Sequence, residues 1–377
     1  MSAVSGTPAS TTVPFVDLGR QHAAIQADLR AAFERVMARG DFVLGEEVDG
    51  FELEFAGYVG ATEAVGVGSG TAAISIGLAA LGIGPGDRVI VPAHTYVASA
   101  LGVMHAGAEP LLCDVDEASG LIDLDSAASV VDSRTAAVLA VHLYGQACDM
   151  DAVAQFAASR GLALIEDAAQ AHGAGWRGQR VGSFGAVAVF SFYPSKNLGA
   201  LGDGGIVCAH DPAVAAAARR LRNLGQEAHG EHVVAGYNER LDTLQAAFLR
   251  VKLGHLEGWN AERRRAAERY RERLPAGVAA PPKREGAEDV FHLLAVKLDD
   301  RDALARSLAS AGIHTGVHYR LPLHRQPPMA GLPPSPVELG QAEDWAAREL
   351  SLPMFPGLRE DEVDRVCAAL AGALGRS

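Results

Sequence analysis

Among the 33 basic residues of this 377-residue chain only four are lysines, Lys196, Lys252, Lys283 and Lys297; the others are arginines. The first lysine lies in SFYPSKNLGALGDGG, Ser191 to Gly205, directly after the apolar run AVAVF. A guanidinium stays protonated and attacks poorly, whereas a partly desolvated amine can lose its proton and add to a carbonyl. Lys196 is therefore a candidate for amine chemistry. Two further stretches carry candidate groups. EDAAQAHG, residues 166–173, follows LALI and puts Asp167 and Gln170 at the carboxyl end of a strand. GVGSGTAA, residues 66–73, follows a strand and opens a helix, so its backbone N–H groups and helix dipole could hold a phosphate. Each also has a plainer reading: a helix N-cap for Asp167 and a tight strand-to-helix turn for 66–73.

Other ligands explain less. A dinucleotide fingerprint needs glycine where Thr71 stands, and the nearest acidic residue at a suitable distance, Asp87, lies in the turn GPGD. A Walker-type loop needs its glycines before the lysine and Ser or Thr after it, but Asn197 follows Lys196 and the glycines come later. Pyridoxal phosphate uses every candidate at once, because it brings an aldehyde, a phosphate and a ring nitrogen that must stay protonated. Lys196 would form the Schiff base, Asp167 would pair with the ring nitrogen, and Ser191 would join the 66–73 turn around the phosphate. The glycines of LGALGDGG permit close backbone approach. Tyr96, in VPAHTYVASA, is placed either to stack on a planar ring or to sit half-buried at a helix start. His314, His318 and His324 have no acidic or cysteine partner at ligand spacing, so no metal is expected.

These residues must be positioned by regular elements. From Gln21 to Arg39 the apolar positions Ile25, Leu29, Ala32, Phe33 and Met37 recur at helical spacing, and Gly40 ends the pattern. Seven apolar runs follow, at 64–67, 88–91, 111–115, 136–142, 162–166, 186–192 and 205–208, separated by helical patterns. That alternation predicts a mainly parallel seven-stranded α/β sheet covered on both faces, with ligands bound beyond the strands' carboxyl ends. The rhythm changes near residue 245. We expect a loose tail over 1–12, a large cofactor-binding domain over 13–250 and a smaller α/β domain over 251–377.

A net charge of −13 leaves no basic surplus for general binding to nucleic acid or to an anionic membrane. The four cysteines, Cys113, Cys148, Cys208 and Cys367, are widely spaced, without CxxC or a disulfide-dense pattern. The start MSAVSGTPASTT lacks the basic and apolar regions of a signal peptide, and no apolar stretch is long enough to span a bilayer. A cytoplasmic protein is expected.

VGSGTAA, VPAHTYVA, VHLYGQACDMD, IEDAAQAHGA, FSFYPSKNLGALGDGG, LRNLG, GYNERLDTLQAA and GVHYRLPLH occur in the order found in the DegT/DnrJ/StrS family of sugar aminotransferases, which the chain resembles from about residue 14 onward. The resemblance implies a fold-type-I pyridoxal-phosphate enzyme that forms a homodimer with active sites at the subunit interface. It implies that Lys196 is the lysine that binds the cofactor, Asp167 the partner of the ring nitrogen and Gln170 the ligand of the ring hydroxyl. Gly70, Thr71 and Ser191 resemble its phosphate contacts, Tyr96 its stacking aromatic, and Asn238 the asparagine that reaches the neighbouring subunit's cofactor phosphate. Some members carry histidine in place of the lysine and act as dehydratases; the lysine here favours transamination. The branch most resembled aminates C3 of a dTDP-3-keto-6-deoxyhexose, with Tyr193, His318 and Tyr319 approaching the sugar or its nucleotide. Where that branch continues HYP this chain has HYR, which makes Arg320 a candidate diphosphate contact or a solvent-facing side chain. The expected reaction moves an amino group, by analogy from L-glutamate, to a nucleotide-diphosphate keto-sugar. The competing readings are a C4 or keto-cyclitol aminotransferase, a nicotinamide-dependent sugar oxidoreductase and a non-catalytic sensor.

Overall fold

The computed structural model describes residues 12–278 and 280–375. Except for Thr12, the expected tail lies outside the described residues. All seven apolar runs are strands of one sheet, with ends moved by at most two residues: β1 (Glu63–Val67), β2 (Arg88–Pro92), β3 (Glu109–Cys113), β4 (Thr135–Val141), β5 (Ala163–Asp167), β6 (Val187–Ser191) and β7 (Gly205–Ala209). Their order is β1-β7-β6-β5-β4-β2-β3. The pairs from β6 through β5, β4 and β2 to β3 are parallel, while β7 runs against both of its neighbours. The continuous apolar character of the runs follows from burial on both faces, as along Ala137–Val141. The reversal of β7 has a local consequence. Residues 192–204, which carry Lys196, leave β6 and re-enter the sheet as β7 at the same end, beside the carboxyl ends of the other strands.

The predicted helix over 21–39 is broken into Leu18–Ala23 and α1 (Gln26–Arg39), because Ile25 adopts a non-helical φ of −116° and ψ of 10°. Gly40 ends α1 in the left-handed region, φ 75°, as its sequence position suggests. Ile25, Leu29, Ala32 and Val36 form the buried stripe, packed on Ala247, Phe248 and Trp259. Phe33 and Met37 belong to the next ridge of α1, not to that stripe, and are 44% and 51% exposed.

A second apolar core surrounds the antiparallel pair β8 (Leu294–Lys297) and β9 (Glu349–Leu352). It takes Leu350, Leu352, Val366 and Leu370 from the end of the chain and Val13 from its start. Leu323, Met329 and Trp345 instead join the main core, so the late segment packs on the sheet as well as on itself.

Candidate active site

The turns after β1, β2, β5 and β6, together with residues 292, 318 and 319, enclose a cavity of about 550 Å³. Ten of the twelve residues singled out from the sequence line it: Gly70, Thr71, Tyr96, Asp167, Gln170, Ser191, Tyr193, Lys196, His318 and Tyr319. Asn238 and Arg320 are outside its lining. Asn238 is exposed, bridges to Asn223 and accepts a hydrogen bond from Arg240. Arg320 is solvent-facing and pairs with Asp302 at 3.2 Å.

One end of the cavity is built to receive an anion. Helix α2 (Gly70–Ala80) begins there, with Ser69 as its cap, accepting from Ala72 N at 3.1 Å. The first N–H groups of such a helix lack intrahelical acceptors and carry the positive end of its dipole. A Cβ on Gly70 would lie 2.6 Å from Ser191 Cβ, so glycine is what allows the Ser191 side chain to sit against this first turn.

Asp167, the last residue of β5 and only 5% exposed, lines the same cavity. Its Oδ2 accepts from Ser99 Oγ at 2.7 Å and its Oδ1 from Ala169 N at 3.2 Å. Ser99 in turn meets Thr95 Oγ1 at 3.1 Å. Gln170 is oriented at both ends: Oε1 accepts from Tyr144 N at 2.6 Å and Nε2 donates to Tyr319 Oη at 2.9 Å. Tyr144 reaches this position through a left-handed backbone, φ 63°. Tyr96 is 53% exposed, and its ring centroid lies 5.3 Å from that of Tyr319.

Lys196 stands in the 192–204 connection. Its N–H donates to Tyr193 O at 2.9 Å, and Ala200 N closes the loop on Phe192 O at 2.7 Å. Loss of water pulls its ammonium down from 10.5 to about 8, against the opposing pull of the Asp167 carboxylate. Among the described residues its Nζ forms no hydrogen bond or ion pair. His318 reaches the cavity from the late segment: its N–H donates to Glu349 Oε2 at 2.5 Å and its Nδ1 meets Ser351 Oγ at 2.9 Å. Burial first, then the charge of Lys196, lowers its imidazole to about 4. Burial also raises the Glu349 carboxyl to about 8.

The set fits pyridoxal phosphate. It offers donors for a phosphate, a buried carboxylate for a protonated ring nitrogen, an amine with no partner among the described residues, and a half-exposed aromatic ring. Residues 23–371 match the DegT/DnrJ/EryC1/StrS aminotransferase family. The chain belongs to this family. Like its relatives it is a pyridoxal-phosphate-dependent aminotransferase, and the expected activity class and cofactor stand. The dTDP-3-amino-3,4,6-trideoxy-alpha-D-glucose transaminase of Streptomyces venezuelae is 44% identical over 372 residues, 98% of this chain and 97% of that one. The crystal structure of S. venezuelae DesV in complex with a ketimine intermediate matches with a TM-score of 0.93 and 44% identity, over 96% of this chain and 98% of that one. NtdA from Bacillus subtilis with bound cofactor PMP matches at 0.86 and 28% identity, covering 93% and 82%.

In this aminotransferase the nicotinamide reading of residues 66–73 loses its acidic partner. Asp87 Oδ2 accepts from Gly84 N at 3.0 Å and so holds the GPGD turn together. Sequence reasoning passed over Ser99, Tyr144 and His292, all of them beside the candidate residues. Ser99 had a signal in its spacing, one helical turn after Tyr96. His292 had none, since its partner Asn197 lies 95 residues away. No helix among the described residues is long and apolar enough to cross a membrane, and none of their His, Cys, Asp and Glu side chains gather into a three-ligand metal cluster.

Proposed function

We propose that this enzyme transfers an amino group from L-glutamate to the C3 keto group of a dTDP-3-keto-6-deoxyhexose. One observation carries the reading: Lys196 and Asp167 face one cavity in a chain 44% identical, over nearly its whole length, to a transaminase named for a dTDP-3-amino sugar. When bound, pyridoxal phosphate supplies an aldehyde for the amine and a protonated ring that accepts an electron pair. Asp167 is the carboxylate that keeps this ring charged, and its bonds from Ser99 and Ala169 keep it pointed at the cavity. Gly70, Thr71 and Ser191 hold the phosphate, Gln170 the ring hydroxyl, and Tyr96 covers the ring face. Lys196 Nζ, with its proton affinity lowered by burial, would move the proton from the α carbon of glutamate to C4′ of the cofactor and, in the second half-reaction, from C4′ to C3 of the sugar. Tyr193, His318 and Tyr319 border the space left for the sugar nucleotide.

The same reading extends to assembly. Phe33, Met37, Phe42, Val43 and Leu53 leave an apolar surface on and after α1, suited to cover by a second copy. Asn238, exposed and outside its own chain's cavity, would then serve the partner's phosphate. We place the boundary between large and small domains near residue 250, a division supported by the second core, which begins at Ala266 apart from Val13. Four free, buried thiols suit a reducing cytoplasm. The test is incubation with glutamate and dTDP-3-keto-6-deoxyglucose, its C4 epimer and a 4-keto sugar, read by mass spectrometry. Amination of a 3-keto sugar is expected; amination confined to the 4-keto sugar would overturn the regiochemistry.

A further inference from the structure

From His318, in the cavity lining, a hydrogen-bonded path of three side chains leads to a buried carboxyl. Gly316 and Ser351 exchange both backbone hydrogen bonds, at 3.0 and 2.9 Å, which sets the segment after Gly316 alongside β9. His318 then donates its N–H to Glu349 Oε2 at 2.5 Å and accepts at its carbonyl from Tyr144 Oη at 2.6 Å. Its ring stacks on Phe15 with centroids 5.6 Å apart, and a Cβ on Gly316 would lie 2.7 Å from its Cε1, so glycine is what leaves the ring its seat. In that seat Nδ1 is 2.9 Å from Ser351 Oγ, which is itself 2.5 Å from Glu349 Oε1. Glu349 and Ser351 are fully buried. His318 Nε2 has no hydrogen bond among the described residues, yet it is not one of the buried orphaned atoms.

The protons on this path can be arranged in two ways. A carboxylate only accepts, so with Glu349 charged the Ser351 hydroxyl donates to Oε1, its oxygen accepts from Nδ1–H, and Nε2 is a bare acceptor. With a proton on Oε1 every bond reverses: the carboxyl donates to Ser351, Ser351 donates to Nδ1, and Nε2 carries the ring proton. Both arrangements satisfy all three side chains without displacing a heavy atom, and they differ by one proton. We propose that His318, Ser351 and Glu349 form a proton relay: His318 Nε2 takes up a proton from the cavity, the Nδ1 proton passes to Ser351 Oγ, and the Ser351 proton passes to Glu349 Oε1. The reverse sequence returns it. His318 thereby changes from acceptor to donor at Nε2 while the stored charge change sits on Glu349.

The affinities suit this direction. Burial raises the Glu349 carboxyl to about 8, against the opposing pull of Ser351, the His318 N–H and Arg301, while burial and then the charge of Lys196 lower the imidazole to about 4. The proton therefore rests on the carboxyl and not on the ring. The other titratable groups that act on the pair are Tyr144 and Tyr319 at Glu349, and His94 and His292 at His318. Lys297, opposite Glu349 in the β8–β9 register, is paired with Asp344.

The inference goes beyond amino transfer, and its test needs neither cofactor nor sugar. The experiment is 15N NMR of the histidine side chains in the full-length chain freed of cofactor, from about pH 6 to about pH 10, with His318 assigned by its missing signals in His318→Gln. Below about 8 Nε2 should be protonated and Nδ1 bare; above it the two should exchange, with no imidazolium at either end. Glu349→Gln keeps an acceptor for the His318 N–H and sets an amide N–H against Ser351, so it should hold the Nε2–H tautomer at every pH. Ser351→Ala should uncouple the ring from the carboxyl and abolish the exchange. A single tautomer throughout in the native chain, a ring that becomes doubly protonated, or an exchange that survives in either variant would overturn the relay. Should the variants not fold, the native titration decides alone.

Discussion

Lys196 and Lys252 are both drawn by burial from 10.5 to about 8, yet they stand in opposite situations. Lys252, on the helix Thr243–Leu253, is fully buried, and its ammonium donates to the carbonyl of Gly199. Lys196 lines a cavity and has no partner there among the described residues. A lowered proton affinity is thus shared by a reactive amine and a structural one; access and a missing partner tell them apart. The two are also connected, since Gly199 lies three residues beyond Lys196. Lys252, with Gln245 Oε1 accepting from Leu201 N at 2.8 Å, holds the far side of the loop that presents the reactive amine.

The contrast breaks most sharply at Lys196 itself. Lys196→Ala should lower amination by at least about a thousandfold while leaving thermal unfolding near native, because the side chain has no protein partner to lose. Asp167→Ala should cost about a hundredfold or more in rate in a folded protein, measured as single-turnover conversion with glutamate. Near-native rates would remove its assigned role.

Lys252 predicts an effect on stability instead. Its folded affinity is below the unfolded value, so between pH 8 and 10.5 the unfolded chain binds more protons and this group makes the fold more stable as pH rises. Relative to Lys252→Met, the native chain should gain stability across that window, as read by denaturant melts at several pH values. A flat difference would show that burial does not lower the proton affinity of this amine. The loss of the Gly199 contact should destabilise the fold by about 1–3 kcal/mol, the cost of one orphaned buried carbonyl, and slow amination less than about tenfold. Arg320→Ala should be the smallest change, within about twofold in rate, because its partner is an exposed carboxylate worth less than about 1 kcal/mol.

The difference between these regions also marks what the sequence could tell. Strands were legible because burial on both faces makes each an unbroken apolar run, and the residues after β1, β5 and β6 follow directly from that layout. Asp167, Ser191 and Lys196 were therefore found together. Helix α1 was legible in period but not in its break at Ile25 or in the exposure of Phe33 and Met37, since helical spacing does not say which ridge faces the core. Residues that join through distant partners left no local trace: Asn197 with His292, and Lys252 with Gly199. Arg320 was readable as a departure from the expected motif, but its pairing with Asp302 depends on a helix start that only the fold brings close.

In the function proposed above, Lys196 and not Lys252 is the amine that attaches the cofactor. Reduction of the pyridoxal-phosphate-loaded enzyme with borohydride, followed by peptide mapping, tests it most directly. One stable adduct is expected, on the peptide containing Lys196, and none after prior treatment with excess glutamate. An adduct on Lys252, or a chain that takes up no pyridoxal phosphate, would contradict it.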